Sequence, residues 1–259
     1  MRTAIKLVLI YFGFQILGTL FGGLIGMAYS LVVSGTPDGD KGISLSLSLL
    51  LGIVFMTVYL WKGGYVSKEK TTWSVVSFPY LLLTMVIYVA SLVLIEFAMS
   101  YLQWLPDLME STFNAMQTGW LGILGIAVLG PILEELLFRG AITRALLEEY
   151  NPTKAIVISA LVFGIVHLNP VQIVSATLIG LLLGWIYYKT ASLIPCVLIH
   201  VVNNSLSVWL NLTHPEAENT IDLLGSSVYY IAIGAAVVLF WLALRGMNII
   251  TNNKKTLES

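Results

Sequence analysis

The chain has 259 residues, 58% of them hydrophobic and only 10% charged, against roughly 25% charged in a typical soluble domain. A net charge of −1 with no basic cluster excludes a surface that tracks phosphates, so no nucleic acid is expected as a partner. Cys196 is the single cysteine, which rules out an intramolecular disulfide and leaves no cysteine-based metal site.

Apolar runs predict membrane helices over residues 7–33, 43–61, 75–101, 118–150, 155–168, 171–188, 192–212 and 227–245. The fold class expected is all-α, a polytopic membrane bundle of about eight transmembrane helices. It forms a single transmembrane domain over 1–259, with no soluble domain, long linker, low-complexity tract or repeat. Arg2 and Lys6 precede the first run, and Gly26-Met27-Ala28 loosely resembles a cleavage site. The run nevertheless continues to Val33, too long for a usual leader core, so it reads as a retained span.

Lysine and arginine orient the bundle. With the N-terminus in the cytoplasm and eight crossings, Arg2, Lys6, Lys62, Lys68, Lys70, Arg139, Arg144, Lys154, Lys189, Arg245, Lys254 and Lys255 fall on or toward the cytoplasmic side. Only Lys41 falls outside. The loops 102–117 and 213–226 carry Asp107, Glu110, Glu216, Glu218 and Asp222 without Lys or Arg, as exterior loops should. Both termini are therefore expected in the cytoplasm, with the lipid bilayer as the surrounding partner. Gly18, Gly22 and Gly26, and later Gly180 and Gly184, recur at four-residue spacing. Such rows let helices approach closely. Packing inside the chain is favoured over a dimer interface as their use, and the oligomeric state stays open.

Within the fourth run stands "GPILEELLFRG", residues 130–140. Each charged group there costs several kcal/mol in hydrocarbon. Glu135 and Arg139 are i and i+4, with the glutamate N-terminal, the favourable order for pairing. Glu134 lies about 100° around the helix from Glu135 and is left for other work. Pro131, one turn earlier, is expected to loosen the backbone and admit water. Two further polar sets follow: Phe163 with His167 in "FGIVHLNP", and His200 with Asn204 in "HVVNNS", each at i, i+4 and so on one helix face. A lone buried histidine is usually a hydrogen-bonded packing residue. Glu, two His and Asn together in one bundle point instead to a site. Depth is consistent with that. At ~1.5 Å per residue Glu134 lies ~24 Å, His167 ~21 Å and His200 ~14 Å from their cytoplasmic turns. The three meet if the fourth helix runs unbroken through Arg144 into the cytoplasm and the fifth and sixth form a short hairpin turning at Asn169-Pro170.

At these residues the sequence resembles the CPBP family of intramembrane glutamic endopeptidases, which includes type II CAAX prenyl endopeptidases and bacteriocin-processing or immunity-associated, Abi-like bacterial members. The family's ordered motifs are Glu-Glu-x-x-x-Arg, Phe-x-x-x-His and His-x-x-x-Asn. They stand here as "EELLFR" (Glu134 to Arg139), "FGIVH" (Phe163 to His167) and "HVVNN" (His200 to Asn204). The similarity covers mainly Leu121 to Trp209, within a catalytic core of about 118–212. It implies a metal-independent hydrolase without a cofactor, acting on a peptide or protein substrate in a membrane, with the short loops of a bacterial member. It implies that Glu134 and His167 activate a water and that His200 and Asn204 stabilise the oxyanion, while Glu135, Arg139 and Phe163 orient or support. Asn203 also lies near the His200 face, and the family spacing selects Asn204. Low-dielectric surroundings favour a carboxylate as base, and a neutral amide suits an oxyanion.

Three alternatives remain. Glu134, His167 and His200 are residue types that zinc accepts, although no His-Glu-x-x-His motif is present. A non-catalytic scaffold or immunity protein would keep the fold without the chemistry. A proton-coupled transporter would use the same residues as a relay, although no inverted repeat of broken helices is apparent.

Overall fold

The structure is a computed structural model that describes residues 1–36, 40–217 and 219–258. Glu218 and the side chains of Lys254 and Lys255, which enter the charge pattern, lie outside the described residues. Helix α1 covers Arg2–Ser34, α2 Lys41–Lys62 and α3 Phe78–Met99. A short α4 at Glu110–Met116 leads into α5, a continuous helix over Trp120–Glu149. Then come α6 (Pro152–Ile165), α7 (Pro170–Thr190), α8 (Ile194–Thr213), α9 (Thr220–Leu224) and α10 (Ser226–Glu258). Among the described residues there is no strand. The chain is an all-α, polytopic integral membrane protein.

Among the described residues seven helices, against the about eight expected, are long and apolar enough to cross a membrane: α1, α2, α3, α5, α7, α8 and α10. The shortfall is α6, whose 14 residues reach only ~21 Å against a hydrocarbon core of about 30 Å. It packs along α7 as a short hairpin.

Local chemistry sets the helix ends. Asp40 caps α2, its carboxylate accepting from the amides of Gly42 (2.8 Å) and Ile43 (3.3 Å). Asn151 caps α6 by accepting from Lys154 N–H at 2.9 Å, with Pro152 in the first turn where its missing N–H costs nothing. Pro170 opens α7 in the same way.

The small-residue rows are filled from within the chain. A Cβ on Gly18 would stand 2.6 Å from the Ser48 carbonyl oxygen and 2.7 Å from the Gly52 nitrogen of α2. On α7, Gly180 lies against Ala160 and Phe163 and Gly184 against Ile156, all of α6. Backbones can come this close only where no side chain intervenes.

Around α5 the packing is densest. Half of its most apolar stretch is buried, against 17–33% for the other candidate spans. Leu133, Leu137, Phe138, Ile142 and Leu146 join Leu7 of α1, Met56 and Leu60 of α2, Leu183 and Ile186 of α7, and Ile199 of α8 in one core. Helices α3 and α10 form a second cluster around Tyr80, Ile87, Ala243 and Met247. The helix that carries Glu134, Glu135 and Arg139 is thus the one most shielded from lipid, where charges are cheapest to hold.

Candidate active site

Helix α5 is continuous, as expected, but not uniformly α-helical. Two π-helical stretches, Gly125–Leu129 and Leu136–Thr143, flank an α-helical Gly130–Glu135. Such insertions recur at functional sites because they re-aim side chains. Pro131 can give no N–H to the carbonyl of Ile126, five residues back. The amide Nδ2 of Asn204, on α8, donates to that carbonyl at 3.1 Å. Ser205 Oγ approaches the next carbonyl, Ala127, at 3.5 Å. The π-helical turn beside Pro131 agrees with the loosened backbone expected there, and the acceptor that Pro131 frees is met from α8, which fastens the two helices together.

One turn further on, Arg139 Nη1 donates to Glu135 Oε1 at 2.7 Å, with both side chains essentially unexposed. Arg139 Nη2 also donates to the Gly180 carbonyl at 3.3 Å, and its guanidinium lies 4.5 Å over the Phe163 ring. Glu135 Oε1 also meets His200 Nδ1 at 2.7 Å. A carboxylate paired with arginine only accepts, so Nδ1 carries the proton. This turns His200 Nε2 toward Glu134, whose Oε2 is 3.6 Å away. Among the described residues Glu134 Oε2 has no hydrogen-bond partner, as is also true of Glu135 Oε2 and Arg139 Nε, but the Glu134 side chain keeps 21% exposure where Glu135 has 0%. The adjacent carboxylates are split as the helical angle requires. One is locked and one stands open.

His167 departs from its expected setting. Helix α6 ends at Ile165, and His167 lies in the following turn rather than on the helix. Its link to Phe163 survives in another form, because Nδ1 sits 2.7 Å from the Phe163 carbonyl. A carbonyl only accepts, so Nδ1 donates and Nε2 of the neutral ring keeps a lone pair. The Phe163 ring links the set: it meets His167 edge-on at 5.0 Å, His200 at 5.7 Å and Phe138 at 4.9 Å.

The structure thus joins Glu134, Glu135, Arg139, Phe163 and His200 by direct contact. His167 is connected through Phe163, and Asn204 through the backbone of α5. Among the described residues, no hydrogen bond or ion pair links His167 or Asn204 to Glu134. Asn203 separates from Asn204 by direction, since its Oδ1 takes the Tyr88 hydroxyl of α3 at 3.5 Å while Asn204 reaches α5. Asn203 Nδ2 also donates to Asn204 Oδ1 at 3.2 Å. Among the described residues, no three His, Cys, Asp or Glu side chains are grouped as metal ligands would be.

Sequence reasoning missed two participants. Gly180 was read for packing alone, yet its carbonyl receives Arg139. Tyr88 lies on a helix without any motif, and nothing in its local sequence marks it.

The family model for type II CAAX prenyl endopeptidase Rce1-like proteins matches residues 116–206. A protein of Bacillus subtilis (strain 168), named "Putative membrane peptidase YdiL", is 31% identical over 103 residues. That alignment covers 40% of this chain and 42% of the relative, so the chain spans less than half of that protein's length. No solved structure matches the chain. The matched segment contains all three motifs, and the family resemblance read from them is borne out.

Proposed function

We propose that this chain is an intramembrane endopeptidase that hydrolyses a peptide bond with a water activated by Glu134 and His167. The observation that carries this reading is the contrast between two neighbouring carboxylates. Glu135 Oε1 is held by Arg139 and His200, whereas among the described residues Glu134 Oε2 has no hydrogen-bond partner and lies across from His200 Nε2 at 3.6 Å. A base must be free to take a proton, and this arrangement leaves Glu134 free to do so.

In the proposed reaction the Glu134 carboxylate takes a proton from water while His167 Nε2 orients it. The resulting hydroxide adds to the peptide carbonyl. His200, which must carry a proton on Nε2 as well in order to donate, and the second N–H of Asn204 stabilise the oxyanion, because the first N–H of Asn204 is committed to Ile126. Collapse expels the amine, which takes the proton that Glu134 holds. Glu135, Arg139 and Phe163 keep His200 and the turn of α5 in place. We place this core at about 118–212 in a single transmembrane unit of a bacterial cell membrane, with both termini in the cytoplasm and a peptide or protein as substrate.

Glu134→Gln keeps shape and hydrogen bonding but cannot accept the proton. Turnover of a peptide library by the purified chain should fall to background with thermal unfolding unchanged. His167→Ala should do the same. Asn204→Ala should lose about 100–1,000-fold, the usual effect of removing one oxyanion donor. Wild-type turnover by Glu134→Gln would overturn the assignment. Abolition by a tight chelator, with recovery on adding zinc, would replace it with a metallopeptidase.

A further inference from the structure

The turn that carries His167 is held from outside the matched segment. Leu168, between His167 and Asn169, has φ 54°, in the left-handed region that a leucine seldom occupies. Such a residue persists only where its surroundings over-determine it. Asn169, fully buried, provides that determination. Its Nδ2 donates to Asp107 Oδ1 at 2.8 Å, and its Oδ1 accepts from the Leu108 N–H at 2.9 Å. Asp107 Oδ1 is itself fixed by the Met109 N–H at 2.9 Å. On the other side, the Asn169 carbonyl accepts from Ile173 N–H at 2.8 Å and so starts α7. A carboxylate in the loop between α3 and α4 therefore closes a two-way hydrogen-bonded clamp on the residue two after His167.

We propose that Asp107 and Asn169 are positioning residues for the reaction, a clamp that holds the His167 ring in the site by fixing the turn on which it sits. This rests on the reading of His167 as the partner of the activated water. The rest of the ring's support fits the same picture. The helix has already ended at Ile165, and beyond the local turn bonds of His167 N–H to Gly164 and Leu168 N–H to Ile165, the ring rests on its Nδ1 contact with the Phe163 carbonyl, the edge of the Phe163 ring and this clamp. Neither Asp107 nor Asn169 reaches Glu134 or His200, so the clamp acts only through the turn.

The test compares Asp107→Ala with Asp107→Asn in the purified full chain. Asp107 is exposed, and asparagine keeps the accepting oxygen. Two readouts are taken: peptide turnover, and the rate at which diethyl pyrocarbonate modifies each histidine, resolved by mass spectrometry. In Asp107→Ala the His167 rate should rise severalfold with that of His200 unchanged. Its kcat should fall about tenfold with KM unchanged, within the ~100-fold that a misplacement of about 1 Å can cost. Asp107→Asn should restore both. Equal His167 rates in Asp107→Ala and wild type, or a parallel rise at His200, would overturn the clamp. If Asp107→Ala does not fold, Leu108→Pro, which removes the N–H that Asn169 Oδ1 accepts, takes its place with the same criteria. A wild-type chain that hydrolyses no peptide would sink the peptidase reading, and the modification rates would still decide the clamp.

Discussion

Helices α1 and α2 on one side, and α5 with α6, α7 and α8 on the other, hold together by different physics. The α1–α2 pair relies on shape. Gly18, Gly22 and Gly26 meet Ser44, Ser48 and Gly52, with no ion pair across the seam among the described residues and exposed Leu9, Ile16, Leu20 and Leu24 behind it. The α5–α8 group relies on polar contacts that would be ruinous alone: Glu135 Oε1 takes Arg139 and His200, and Arg139 also reaches the Gly180 carbonyl, beside Phe163 and Phe138. In hydrocarbon, packing alone suffices to join two helices. Keeping one carboxylate free beside a neutralised neighbour requires a charged framework around both.

Breaking the polar group should have the largest effect. Arg139→Ala leaves Glu135 buried with only His200 as partner, and loss of one member of a buried pair costs ~3–5 kcal/mol. Thermal unfolding in detergent should show a low folded yield and a large drop in Tm. An unchanged Tm would mean that Arg139 contributes nothing to the framework.

Breaking the shape-based seam should cost less. Gly22→Val overpacks a site already in backbone contact with Ser48, a change that costs typically about 1–3 kcal/mol. Turnover per folded molecule should stay at the wild-type level, because the seam carries no group of the site. A specific loss of kcat with normal stability would show that the two regions are coupled. Gly180→Ala should fall between them in character and be smaller in size. The added methyl meets Ala160 and Phe163 at 3.1 Å, and the Gly180 carbonyl serves Arg139. A modest loss of stability, about 1 kcal/mol, should come with a lower kcat, as measured by steady-state kinetics beside unfolding.

The gentlest manipulation asks how both regions sit in the bilayer. Single cysteines at Thr36 and at Asn252, in a Cys196→Ser background, should label from opposite sides if both termini are cytoplasmic. Labelling from one side would break the orientation while leaving the fold untouched.

Hydrophobic run length alone determined the class, the order of the spans and the shortness of α6, because apolar length maps directly onto bilayer thickness. Residue spacing likewise determined that Glu135 and Arg139 pair and that Glu134 does not, since a 100° step separates neighbours whatever surrounds the helix. Tertiary structure alone decided the rest. In the first π-helical turn of α5, Pro131 withholds an N–H from the Ile126 carbonyl and Asn204 of α8 supplies one, an exchange between helices far apart in the chain. His167 was expected on a helix face and lies instead in a turn held by Asp107, 60 residues upstream. Periodicity reports which way a side chain leaves its own helix. It is silent on where that helix stops when the residue that fixes the stop belongs to another part of the chain.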